Sequence, residues 1–392
     1  MSLFERLSRE FSIFYNSQKF GGITLIACTL FSLLVANSAW SETYLHFWHD
    51  ELLQLPASWH APTSPEKIVN DLLMAVFFLL VGMEIKREVL SGELSNFQRA
   101  SLPLSAALGG MIAPALIYLS FNAGSSVVHG WGIPMATDIA FAIGILALLG
   151  SRVPTSLKIL LTALAVADDL GAVLVIALFY TQQLHLLYLL GAAAVMLVLY
   201  LLGKTLVTSL WPYLLSGLIL WIFIHLSGVH ATIAGVLLAL VIPYDQKRQN
   251  DPLQRLETAL HLPVNHFIMP LFALANTAIA IQSDSISSLH SDSSIGIMVG
   301  LFLGKPIGIL LFVWLSCKAG MSKLPVGITF RHILGIGFLG GIGFTMSIFI
   351  AMIAFNQPAL TDSAKLAILT ASTLSGIVGY LLLKKVFSIS QH

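Results

Sequence analysis

The chain has 392 residues, 57% hydrophobic and only 10% charged, with a formal net charge of +1. Soluble domains carry about 25% charged residues, so the composition excludes a soluble fold and predicts an all-α polytopic membrane protein. The net charge is uninformative by itself, because in membranes the placement of Lys and Arg matters more than their sum; neither nucleic acid as a partner nor a cofactor is expected. Cys28 and Cys317 fall in apolar stretches without metal-ligand spacing and read as small buried hydrophobes.

Along the chain, Met1 to Phe20 mixes Glu5, Arg6, Arg9 and Glu10 with Phe and Leu. It lacks a small-residue cleavage site, so the first span is expected to stay as an uncleaved anchor. A span needs roughly 20 apolar residues. Apolar runs lie near 20–37, 68–85, 101–122, 127–149, 156–179, 185–203, 210–226, 229–242, 258–281, 295–316, 328–355 and 363–383, giving about 12 transmembrane helices. The longest external loop, Ser38 to Glu66, is rich in Trp and His. It is read first as a plain loop, with interfacial structure against membrane lipid or a subunit contact in a homodimer as the alternatives. The polar loop Pro243 to Glu257 is the candidate hinge between two bundles. With successive loops on alternate sides, all but three of the 20 Lys and Arg fall on one side. Lys67 and Lys365 are opposite and Lys305 is inside a span. By the positive-inside rule both termini are cytoplasmic, as an even number of spans requires.

The informative charges are those left within spans. Asp168 and Asp169 sit in the uncharged run Ile159 to Tyr180, and no other charge occurs between Lys158 and Lys204. Each carboxylate at mid-bilayer costs roughly 2.5–3.5 kcal/mol on insertion scales, so the usual reason to keep two is to move an ion. Neighbours on a helix point about 100° apart, so the two carboxylates cannot share one partner. One can pair while the other faces a cavity and exchanges a proton for a metal cation. Asp138 is the only charge between Arg99 and Arg152, and Lys305 the only one between Asp292 and Lys318. Asp71 lies near the outer end of its span and Glu84 at a cytoplasmic end. A buried ion pair that fixes helix register is the competing explanation for Lys305.

Two spans carry helix breakers. In Gly132-Ile133-Pro134-Met135-Ala136-Thr137-Asp138, proline removes a backbone donor and predicts an interruption near Thr137. The segment Gly335 to Thr345 holds five glycines, including Gly340, Gly341 and Gly343. These favour an unwound backbone over mere close helix packing. Half-helix ends carry about half a unit charge each, which must be compensated away from water; Asp138 and Lys305 suit that task. Each broken span is the middle of a three-span group, 101–179 or 295–383, and the groups enter the membrane from opposite sides. That arrangement predicts two inverted-topology repeats whose interrupted helices cross at midplane, with the remaining spans forming a second bundle.

The residues carrying this pattern also carry a resemblance. The segments 77–88, Phe-Phe-Leu-Leu-Val-Gly-Met-Glu-Ile-Lys-Arg-Glu, 136–142, Ala-Thr-Asp-Ile-Ala-Phe-Ala, 165–171, Ala-Val-Ala-Asp-Asp-Leu-Gly, 228–232, Gly-Val-His-Ala-Thr, and 343–347, Gly-Phe-Thr-Met-Ser, are similar to those of the NhaA sodium/proton antiporters. The likeness covers essentially the whole chain. It implies a transporter of the bacterial inner membrane, not an enzyme, that exports Na⁺ or Li⁺ against entering H⁺. Exchange would be electrogenic, rise at alkaline pH and serve pH and sodium homeostasis. By the same resemblance, Asp169 is the main cation and proton carboxylate and Asp168 its partner. Asp138 and Thr137 would line the site, and Lys305 would pair with Asp168 or balance helix ends. Glu84, Arg87, Glu88, Glu257 and His261 would form a cytoplasmic pH-responsive cluster, with His230 acting near the outer side. Family members often have a second His after the equivalent of Glu257; here that position is Thr258, which bears on the pH profile.

The rival from another transport class is a Na⁺-coupled solute symporter, which needs a roomy polar pocket for its solute. An intramembrane aspartyl protease would need carboxylates facing each other from different helices, and Gly341-Ile342-Gly343 is followed by Phe344 rather than Asp. A passive channel would use a selectivity ring instead of titratable groups at midplane.

Overall fold

A computed structural model describes residues 18–52, 62–181, 184–204, 209–246, 251–281 and 287–389. Residues 1–17, ahead of the first expected span, part of the 38–66 loop and the tip of the 243–257 loop lie outside the described residues. Among the described residues the secondary structure is helical throughout. Eight helices are long and apolar enough to cross a membrane, or up to ten when each bent pair counts as one span.

In chain order the helices are α1 (Gln18–Ala36), α2 (Ser41–His49), α3 (Pro65–Ser91), α4 (Phe97–Asn122), α5 (Ile139–Leu148), α6 (Thr155–Phe179), α7 (Leu186–Lys204), α8 (Trp211–Leu226), α9 (Ile233–Val241), α10 (Pro252–Asn276), α11 (Asp292–Lys318), α12 (Phe330–Gly340), α13 (Phe344–Ala354) and α14 (Pro358–Ile389). Their starts follow local chemistry. Ser64, Asp138, Asp251 and Ser291 each accept a backbone N–H as N-caps, and Pro65 and Pro252 occupy first-turn positions where a missing N–H is harmless. Helix α2 corrects the reading of 38–66 as a plain loop. Ser41 to His49 forms a helix with Glu42 in its first turn, a charge that complements the helix N-terminus. Three π-helical turns, Ile68–Leu73 in α3, Val264–Ile268 in α10 and Gly300–Gly304 in α11, widen otherwise regular helices.

The chain forms two compact units, each assembled from separated stretches. The first comprises the described residues of 1–31, 101–168 and 281–392, and the second those of 32–100 and 169–280. The divisions fall within α1, within the first turns of α4, within α6 and after α10. The described residues of 243–257 lie inside the second unit, and the assignment of this segment as the hinge between bundles is corrected.

In the first unit, α11, α12 and α14 pack against one another, and α13 lies on α14 and on the 3₁₀ segment Val128–Met135 that precedes α5. Helices α4 and α11 approach backbone to backbone at Gly109 and Gly308. A Cβ on Gly109 would lie 2.2 Å from the Gly308 carbonyl oxygen, and one on Gly308 would lie 2.1 Å from that of Gly109. In the second unit, α3 packs along α9, while α8 contacts α7 and α9. Asn70 and Asn276 exchange side-chain amide hydrogen bonds of 3.2 and 2.8 Å, and the Lys86 ammonium holds the last carbonyls of α9, at Leu240 (2.8 Å) and Ile242.

Candidate cation-binding site

Two helices of the first unit are interrupted where the breakers stand. The backbone is extended through Ala136 to Asp138, between the 3₁₀ segment and α5, and residues 341–343 separate α12 from α13, whose axes differ by 49°. The two interruptions are each other's hydrogen-bond partners. Asp138 N donates to Ile342 O at 2.7 Å, and Thr137 Oγ1 lies 2.9 Å from Gly340 O. Ser347 Oγ donates to Ile133 O at 2.7 Å. Backbone groups that a continuous helix would satisfy internally are thus satisfied by the opposite break.

Asp138 serves two helix starts. Its Oδ1 accepts from Phe141 N at 3.0 Å, capping α5, and its Oδ2 accepts from Thr345 N at 3.1 Å and from the Thr345 hydroxyl, at the start of α13. A carboxylate is the right group for that place, since helix N-termini concentrate partial positive charge. The expected charge-compensating role therefore has a concrete geometry for Asp138.

Asp168 lies on the buried face of α6. Lys305, which directly follows the π turn of α11, reaches it with the ammonium group, donating to Asp168 Oδ2 and to Thr137 Oγ1. Thr137 Oγ1 is in turn 2.6 Å from Asp168 Oδ2. The hydroxyl has one hydrogen and two acceptors in reach, Asp168 and Gly340 O, so it can serve only one at a time. Relative exposures of 1% for Asp168 and 0% for Lys305 put the ion pair wholly out of contact with the surrounding medium. Asp168 Oδ1 has no hydrogen-bond partner among the described residues. One oxygen of this carboxylate is committed to lysine and threonine, and the other is open to a proton or a hard cation. Asp169 follows on the same helix and is equally buried, at 2%.

The structure thus gathers Thr137, Asp138, Asp168 and Lys305 around the two breaks, with Gly340, Gly341 and Gly343 forming one of them. It also brings in Thr345, Ser347 and Ser372, which sequence reasoning did not single out as site residues. Thr345 and Ser347 stood within a quoted motif beside the glycine run, and that adjacency was the available signal. Ser372, on α14, had none.

The residues expected in the pH response divide. Arg87 Nε donates to Glu257 Oε1 at 3.1 Å, and an Arg87 terminal nitrogen is 3.8 Å from Glu88. Glu88 Oε2 accepts from Glu93 N at 2.9 Å, and Glu84 is within electrostatic reach of Arg87, Glu88 and Glu257. His261 is turned elsewhere and hydrogen-bonds Asn265 one turn on, at 3.2 Å. His230 precedes α9, with Nδ1 3.0 Å from Thr232 Oγ1, and His225, within electrostatic reach of it, stacks its ring on Trp221.

Comparison with known proteins gives the family. The sequence profile described as Na+/H+ antiporter 1 matches residues 12–383. The chain is 52% identical over 379 residues to Na(+)/H(+) antiporter NhaA 2 of Flavobacterium johnsoniae, covering 95% of this chain and 92% of that relative. It is 52% identical over 380 residues to the Na(+)/H(+) antiporter NhaA of Dechloromonas aromatica, covering 96% of each. Na(+)/H(+) antiporter NhaA 1 of Klebsiella pneumoniae is 48% identical over 376 residues, 95% of each chain. A profile match over nearly the whole length, together with relatives that align end to end at about half identity, establishes that this polytopic, all-helical membrane protein belongs to the Na+/H+ antiporter 1 family.

Proposed function

We propose that the protein is an electrogenic antiporter that exports Na⁺ or Li⁺ across the bacterial inner membrane in exchange for entering H⁺, with activity rising at alkaline pH. The observation that carries this reading is the buried Asp168–Lys305 pair at the crossing of two broken helices, with one Asp168 oxygen open. A structural ion pair would have its acceptors filled; an open carboxylate oxygen beside a lysine is a place where cation and proton compete. Family membership supports the choice of ions.

In this reading a cation arriving from the cytoplasm displaces protons held by Asp169 and by the Asp168–Lys305 couple. It is met by hard oxygen ligands, with Thr137 and Asp138 completing the site. The loaded carrier then opens outward, protons binding there release the cation, and the protonated form returns. Residues 101–179 and 295–383 are the inverted repeats, the remaining spans form a second bundle, and about 12 spans leave both termini cytoplasmic. Glu84, Arg87, Glu88 and Glu257 provide the pH response on the cytoplasmic side, with His261 and His230 as further contributors.

Inverted membrane vesicles test the proposal. Asp169→Asn is expected to abolish Na⁺-dependent dissipation of an imposed pH gradient while the protein is still inserted and monodisperse on extraction. Undiminished dissipation by that variant would overturn the assignment.

A further inference from the structure

Helix α13 has no cap of its own. Its N-cap position is Gly343, which has no side chain to cap with, and a Cβ there would lie 2.1 Å from Ser347 Oγ, so a capping Ser, Asp or Asn would displace the Ser347 hydroxyl. The opening N–H groups of a helix still need acceptors. They come from two other elements: Thr345 N is taken by Asp138 Oδ2, while Gly343 N and Phe344 N both donate to Ser372 Oγ of α14, each at 3.2 Å. Ser372 is buried, so water does not substitute for it.

We propose that Ser372 is a positioning residue for cation binding, holding two N–H groups of α13 that would otherwise turn onto Asp138. The inference rests on the reading of Asp138 as part of the cation site. Asp138 already caps α5 through Phe141 N and meets α13 through Thr345. Each donor aimed at a carboxylate takes a share of its negative field and fixes its orientation. Ser372 accepts as a neutral hydroxyl and has no charge to offer a cation, so it satisfies α13 without competing for Na⁺. Removing the hydroxyl leaves two buried N–H groups unsatisfied, and the α13 start can recover acceptors only by drawing more tightly on Asp138. Cation affinity then falls although no residue touching the cation has changed.

Ser375 supplies the control. It is buried on the same helix, close to the same break, with Oγ 2.9 Å from the place a Gly341 Cβ would occupy, yet it takes no part in the α13 cap. The full-length protein is compared as wild type, Ser372→Ala, Ser372→Thr and Ser375→Ala, by Na⁺ calorimetry in micelles and by Na⁺-driven exchange in proteoliposomes. Ser372→Ala is expected to raise both Kd and KM for Na⁺ about five- to tenfold, with kcat within about twofold of wild type, since the loss of the two hydrogen bonds reaches the cation only through Asp138 and is felt in binding alone. Ser372→Thr, which keeps the hydroxyl, and Ser375→Ala are expected to match wild type. If Ser372→Ala does not stay folded, Ser372→Cys, a weaker acceptor of similar size, is expected to give an intermediate rise. Wild-type Kd and KM in folded Ser372→Ala or Ser372→Cys overturn the inference, as does an equal rise in Ser375→Ala, which would point to packing. A wild type that binds Na⁺ but does not exchange it refutes the antiport reading, and the Kd comparison still decides the role of Ser372. A wild type that does neither refutes both.

Discussion

Substituting Lys305 by Met is the most direct probe of the buried pair. Methionine has nearly the length and volume of the lysine stem, so packing among α4, α11 and α12 is kept and only the ammonium is lost. Asp168 then keeps one donor among the described residues, the Thr137 hydroxyl, and that hydroxyl is shared with Gly340 O. Breaking a buried pair from one side costs about 3–5 kcal/mol, because the remaining charge is left uncompensated. Asp168→Asn alone strands the ammonium and costs a similar amount. Replacing both partners removes both buried charges, and the double variant is expected to unfold within about 1 kcal/mol of wild type. The measurement is reversible unfolding in mixed micelles with increasing sodium dodecyl sulfate, read by circular dichroism, for all four proteins. Equal losses in the single and double variants would refute the argument, since they would mean that the two side chains do not compensate each other. Exchange is expected to be lost in Asp168→Asn/Lys305→Met despite its recovered stability, which separates folding from transport.

Lys86→Met removes the cation that holds the Leu240 and Ile242 carbonyls, and should destabilise by about 1.5–3 kcal/mol, with hydrogen exchange accelerating at the end of α9 before elsewhere; uniform exchange would refute a local role. Gly109→Ala drives a methyl group toward the Gly308 carbonyl, and overpacking of about 1–3 kcal/mol should lower the unfolding midpoint in the same titration. Glu257→Gln leaves Arg87 without its nearest carboxylate. Its stability cost should stay below about 1 kcal/mol, as for a partly exposed pair, while the pH dependence of exchange moves; an unmoved profile removes Glu257 from the pH response.

Much of this fold is legible in the sequence because a membrane penalises charge and rewards breakers only where they are used. Asp138 and Lys305 stood out as lone charges in apolar runs and Asp168 and Asp169 as an isolated pair, and Pro134 and the 335–343 glycines marked both interruptions. The hydroxyl groups that finish the site are silent by comparison. Ser372 sits in an ordinary helical stretch, and its acceptor role depends on Gly343 and Phe344, 29 and 28 residues earlier. Thr345 meets Asp138 across 207 positions, a separation no local pattern encodes. The π turn before Lys305 has no signature beyond Gly300, Gly304 and Pro306. Helix α2 was hidden because an amphipathic nine-residue helix with Trp and His has the composition of a polar loop.

Because Asp138 N and Thr137 Oγ1 bond Ile342 O and Gly340 O, the two interruptions form a matched set, like a plug and its socket. Their fit constrains how the gene can be recombined. A chimera that takes the 128–148 segment from a relative but keeps the native 330–354 segment joins halves adapted to different partners, whereas transferring both together preserves the fit. Divergence within the family should therefore proceed by paired change at these two places.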